Sequence, residues 1–160
     1  MASMPRRWRD AIRVDPPKNV EDFFTLPGSS GISAAEHTGA VIAQLTILSN
    51  AIRTTSYNVP EALAPEAAAA SINAGSGPWP DTAADGLAQL DAIFEQIEAQ
   101  LKQLNTHDWN KSAKVQAAGT PADGAPGVDS LTVLALAQGA SRVAAEHLPL
   151  AERVLREVSR

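Results

Sequence analysis

The stretch LAQLDAIFEQIEAQLKQL, residues 87–104, most constrains the fold of this chain. Leu87, Leu90, Phe94, Ile97, Leu101 and Leu104 recur at alternating steps of three and four, and Ile93 lies on the flank. That spacing lines one side of an α-helix and cannot line one side of a strand, where same-face residues repeat every two. The opposite side carries Asp91, Glu95, Glu98 and Lys102, with Glu98–Lys102 a favourable i,i+4 pair. A helix over about 82–105, capped by Asp81 or Thr82, follows from this pattern.

Three other segments are read against that helix. Ser33-Ala34-Ala35-Glu36 fits the capping-box pattern, and Val41, Leu45, Leu48 and Ile52 follow at helical spacing. This predicts a helix over about 34–54. Pro60, Pro65 and the alanine run after them suit a short helix over about 60–73, with Gly75 as its stop. The last segment, capped by Asp129 or Ser130 and running to about 158, has an inward stripe of Leu136, Ala140, Val143, His147, Leu150 and Val154. Pro149 removes the hydrogen bond to the Ala145 carbonyl, so a kink is expected there.

With no run of strand periodicity, these segments predict an all-α fold, a four-helix bundle over 33–160. Residues 1–32 read as an irregular arm packing on the body. "DPP" and "LPGSSG" punctuate it, with a short helix at about 20–26 and Trp8 and Ile12 as docking residues. "GSGPWP" at 75–80 and "AAGTPADGAPG" at 117–127 read as loops. Trp79 and Trp109 read as residues that pack loops onto the bundle. Trp79 at a pocket mouth, contacting a ligand, is the alternative.

Composition narrows the function classes. The chain has 160 residues and no cysteine, so it carries no disulfide framework, thiolate metal site or cysteine nucleophile. The basic N-terminus is not followed by an apolar run of signal-peptide type, and no apolar run reaches membrane-spanning length. A soluble cytoplasmic protein with no membrane partner is therefore expected. The net charge of −5 argues against nucleic acid as a partner, although Arg6, Arg7, Arg9 and Arg13 cluster in the arm. The wealth of alanine and the excess of arginine over lysine suggest a bacterial source. No glycine pattern matches a phosphate loop or a dinucleotide fingerprint, and no serine sits in a nucleophile elbow.

The quartet AAEH occurs twice, as Ala34-Ala35-Glu36-His37 and Ala144-Ala145-Glu146-His147. Glu36 already has a role in the capping box. Glu146 lies about 100° round the helix from His147, too far to share a metal with it. The histidines alone matter. His37 extends the stripe of the first long helix and His147 sits on that of the last, so both point to the same interior. Two alternatives stand: a metal site, since imidazole is a common transition-metal ligand, or a pair of hydrogen-bonded core or pocket histidines. His107, in "NTHDWN", reads as an exposed cap at the end of the 82–105 helix.

The segments LDAIFEQIEAQLKQLNTHDWNKSA and SLTVLALAQGASRVAAEHLPLAERVL resemble the DinB-like superfamily, which includes bacillithiol- and mycothiol-linked proteins and the N-terminal domain of maleylpyruvate isomerase. The likeness runs over about 82–157. It rests on the order of a long helix, a "DW" segment, a helix opening at Thr132-Val133, and His147. It implies a four-helix bundle, often a homodimer, with a divalent metal such as zinc or nickel held by three residues. His147 matches the final ligand and His37 stands for the early-helix one. Val143 occupies the place of the ligand four residues before His147. The resemblance implies a small-molecule ligand such as a low-molecular-weight thiol, and thiol transfer or isomerisation if the protein is an enzyme. His147 would then be metal ligand or general base, with His37 its partner. The other reading is a non-catalytic helical binding or assembly module without metal.

Overall fold

The computed structural model describes residues 20–69, 72, 74, 77–116 and 130–159. The fold is mostly helical. A one-turn helix α1 (Glu21–Phe24) precedes three long ones, α2 (Ala34–Ser56), α3 (Ala83–Lys102) and α4 (Val133–Val158). Two 3-10 turns, Pro65–Ala68 and Asp108–Asn110, and two three-residue strands, β1 (Ser112–Lys114) and β2 (Ser130–Thr132), complete the described elements. The docking of Trp8 and Ile12 lies outside the described residues.

Each long helix begins where a side chain closes its free amides. The Ser33 hydroxyl accepts from the Glu36 amide at 3.2 Å, and the Ser33 amide donates to Glu36 Oε2 at 2.7 Å, which completes the capping box. Thr82 accepts from the Asp85 amide at 3.1 Å and Thr132 from the Ala135 amide at 3.1 Å. A second cap on α3 comes from afar. Glu21 on α1 accepts from the amides of Ala83 (2.7 Å) and Ala84 (3.1 Å). Its carboxylate therefore sits at the positive end of α3 and ties the arm to it.

α2 ends in a Schellman motif. Asn58 takes the left-handed conformation at φ 53°, the Val59 amide donates to the Thr54 carbonyl (3.0 Å), and the Asn58 amide to the Thr55 carbonyl (3.2 Å). Lys111 Nζ then donates to the Ser56 carbonyl at 2.8 Å, and pairs with Asp108 at 2.8 Å. Its positive charge suits the negative end of α2. The Lys111 ammonium, followed by the Asn105 amide, holds the Asp108 carboxyl below its usual range.

Side-chain neighbours give the helix directions. A Cβ built on Gly86 would lie 3.2 Å from Thr38, and further along both helices Ser49 bonds Gln96 (2.9 Å) and Gln100 (3.1 Å). α2 and α3 therefore run parallel. α4 runs the other way against α2: Gly139 faces Leu48, and Gly28, just before α2, faces Val154. The α2–α4 interface is the most extensive in the fold.

The core is aliphatic. Leu45, Leu48 and Ile52 of α2, Leu90 and Ile97 of α3, Val133 and Leu136 of α4, and Phe24 of α1 are fully buried. Each such side chain contributes roughly 1.5–3 kcal/mol of transfer free energy. The first two turns of α2 are enclosed on nearly every side, with Ala34, Ala35, His37, Thr38, Gly39, Ala40 and Val41 all buried. Gly39 is what permits this. A Cβ there would stand 2.6 Å from Trp79 Cβ and 2.7 Å from its Cα.

Four expectations are corrected. Residues 60–73 do not form an α-helix where described; only Pro65–Ala68 turns, as 3-10. Tertiary partners hold this segment instead: Gln44 Nε2 donates to the Glu66 carbonyl (2.8 Å), and Leu63 forms a parallel bridge with Val115, just past β1. Second, strands do exist. β1 and β2 are antiparallel, with Ser112, Ala113 and Lys114 opposite Thr132, Leu131 and Ser130. Third, Ser130 accordingly lies in a strand, and Thr132 is the cap of α4. Fourth, Leu148 rather than Leu150 is the buried neighbour of His147, and Leu150 is half-buried. α4 runs through Pro149 to Val158. Pro149 and Ala145 are both exposed, so water can serve the carbonyl that the proline leaves without a donor. No helix among the described residues is long and apolar enough to cross a membrane.

Candidate functional site

His37 stands on the first turn of α2, where its amide makes a helical bond to the Ser33 carbonyl at 3.2 Å. The capping box fixes that turn, so the position of the ring follows from Ser33 and Glu36. His147 lies on α4, which passes α2 in the opposite direction, and the antiparallel register brings the second half of α4 beside the start of α2. The two imidazoles come within electrostatic reach of one another.

His37 is 7% exposed and His147 half-buried. In both rings Nδ1 is buried and has no hydrogen-bond partner. Buried polar atoms are nearly always partnered, and one left without a partner costs about 1–3 kcal/mol. Two at one interface mark the place as unusual. Burial lowers the pKa of His37, and the positive charge of a protonated His147 lowers it further; Glu36 raises it and Arg153 lowers it. Burial also lowers the pKa of His147, against Glu146, which raises it. Both shifts favour the neutral ring, the form that accepts a proton or binds a metal through nitrogen.

Glu36 is held by Ser33, whose amide and hydroxyl both donate to its Oε2, at 2.7 and 2.8 Å. Its role is structural, as the sequence implies. Val143, in the place of a third ligand, is a buried apolar residue at 6% exposure. Among the described residues no group of three or more His, Asp or Glu side chains could hold a metal. Two imidazoles with unpartnered nitrogens fit part of a metal's shell, whereas the three-residue set that the resemblance implies is not assembled from these residues.

His107 is exposed at the far end of α3 and does not join the pair. Over the twenty residues of α3 the helical rise amounts to about 30 Å. Trp79 is 43% exposed, with its backbone against Gly39 and its ring over Gly77. Trp109 is half-buried against the core. Arg153 lies off the apolar stripe of α4, and only the register against α2 brings its charge near His37. Three open clefts of about 180–280 Å³ lie toward the other end of α2 and along its flank. Arg53, Tyr57 and Lys111 line one, Asn50 and Leu63 another, Thr54 and Lys114 the third.

No family description, curated protein or solved structure matches this chain.

Proposed function

We propose that this protein is a DinB-like helical bundle that binds a small ligand at the α2–α4 interface, with His37 and His147 as its polar contacts. The observation that carries this is the pair of buried Nδ1 atoms without partners, on two imidazoles that burial shifts toward the neutral form. A bundle that used this interface only for packing would gain by filling it with aliphatic side chains, as it does at Leu45 and Leu136. Neutral imidazoles can donate to or accept from a ligand group, and either can take a proton through its free nitrogen. In the catalytic version His147 is the base and His37 its partner, acting on a low-molecular-weight thiol or its adduct. In the non-catalytic version the same pair only holds the ligand.

A second reading follows from the same nitrogens. A divalent zinc or nickel ion held by His37 and His147 would leave its other positions to the ligand, and would supply Lewis acidity when bound.

Thermal melting of untagged protein separates the two. A metal that prefers the native state must raise Tm as its concentration rises. If zinc and nickel raise Tm in wild type but not in His147→Ala, the metal reading stands. An unchanged Tm, with His37 and His147 ring resonances unmoved by either metal, removes it. If cysteine and glutathione also leave those resonances unmoved, the thiol-ligand reading falls as well.

A further inference from the structure

On α4, one turn beyond Pro149, stands Arg153, a cation that no described carboxylate pairs with. On α4 the residues Glu146, Pro149, Arg153 and Glu157 succeed one another at helical spacing along one side. Glu157 shows where that side faces. Its Oε1 accepts from the Ser29 amide at 2.8 Å, and its Oε2 would lie 3.2 Å from a Cβ on Gly28. The side therefore borders the loop that leads into Ser33 and His37. Arg153 stands one turn before Glu157 on this border, and its charge is felt at His37.

The Arg153 side chain is exposed and forms no ion pair with any described residue. Several neighbouring carboxylates have other engagements. Glu157 is turned to the Ser29 amide, Glu152 pairs with Arg156 at 3.8 Å, and Glu36 is held by Ser33. Glu146 is next to His147, two turns away from Arg153. The imidazoles offer hydrogen bonds through their unpartnered Nδ1 atoms. Any charge complement for a ligand here comes from the guanidinium, whose planar fork suits carboxylate or phosphate oxygens.

We propose that the ligand of the His37–His147 pair carries an anionic oxygen group and that Arg153 is the residue that receives it. This rests on the ligand-binding reading above. The anion spans from the edge of α4 toward the partly exposed ring of His147, and its uncharged part meets the imidazoles.

The test follows the His37 and His147 ring resonances of the full chain by NMR at pH 7.5. Inorganic phosphate and acetate are titrated separately, at constant ionic strength. At least one of them should shift both histidines and saturate, and the stronger of the two identifies the anion class. Arg153→Gln should weaken that binding about ten- to a hundredfold, the loss expected for charge-assisted hydrogen bonds. Arg153→Lys should fall between, since it keeps the charge and loses the fork. Arg142→Gln, an exposed change elsewhere on α4, should leave it unaltered. No saturable shift with either anion, or Arg153→Gln titrating like wild type, overturns the proposal. If zinc, nickel, cysteine or glutathione still moves the resonances in that case, the ligand site survives and only its anionic character is lost. If nothing moves them, both fall.

Discussion

Gly39 and Gly139 are both helix-interior glycines, yet alanine should act on them in opposite directions. Replacing glycine by alanine inside a helix gains about 0.8–1.0 kcal/mol from backbone entropy alone. At Gly139 the new methyl would lie 3.7 and 3.9 Å from the two Leu48 methyls, which is ordinary contact. The full gain is expected there, and Tm should rise by roughly 2–4 °C for a chain of this size. At Gly39 the methyl would lie 2.6 Å from Trp79 Cβ, 2.7 Å from Trp79 Cα and 3.0 Å from the Pro78 carbonyl oxygen. Carbon atoms pack comfortably at about 3.5–4.0 Å, so α2 and the Pro78-Trp79 segment must part by about 1 Å. Two of the three obstructing atoms are backbone, so no rotamer change relieves them. Overpacking of this kind costs about 1–3 kcal/mol, and its upper part applies here. The net expectation for Gly39→Ala is a loss of about 1–2 kcal/mol, read as a Tm lower by roughly 2–8 °C. Because Gly39 is two residues from His37, the same displacement should move the His37 ring resonances, while Gly139→Ala leaves them in place. Calorimetric melting of the two variants against wild type decides the matter. Equal shifts of the same sign, or a Gly39→Ala protein more stable than wild type, would refute the packing of α2 against Trp79 described above.

Three further outcomes follow. Glu21→Ala removes two bonds to the first amides of α3 and should lower stability by about 0.5–2 kcal/mol in urea unfolding, whereas loss of a merely solvated glutamate would leave it unchanged. Stability should also depend on pH through the histidine pair: both folded pKa values lie below the ordinary 6.5, so the unfolded chain takes up protons first as pH falls. The contribution is complete above about pH 6.5, declines as pH drops through that value, and levels off below the folded pKa values; His37→Asn with His147→Asn should flatten the decline. Val143→His places a third imidazole one turn before His147 and should create zinc binding at one ion per chain by metal analysis, with a higher Tm in zinc; a variant that gains neither would show that the three positions do not converge.

The parts of this fold that depend on neighbours in sequence were legible. Ser33 and Glu36 announced the start of α2, and the Leu90–Phe94–Ile97 seam announced α3, because capping and amphipathicity are local. The burial of His37 followed from the same periodicity, whereas His147, placed on the inward stripe of α4, is only half-buried. What failed was set by distant contacts. The alanine run after Pro65 has strong helix propensity, yet Gln44 and β1 hold its neighbours in another path. Strands of three residues show no periodicity, and β1 exists because Leu63 and Leu131 flank it. Glu21 caps a helix sixty-two residues away, which no local pattern encodes. The same holds for Arg153, whose nearness to His37 depends on the antiparallel register of α2 and α4.

The bridge between Leu63 and Val115 has a consequence for how the molecule comes apart. The chain leaves that point, traverses α3, and returns to it, so α3 is an excursion whose two ends meet. The α2–α4 pair forms the larger interface and does not run through the excursion. Amides of α3 are therefore expected to exchange with solvent as one group, at a lower opening free energy than those of α2 and α4. Cutting and rejoining the chain within α3 should disturb the histidine pair less than a cut of the same kind in either of the other two long helices.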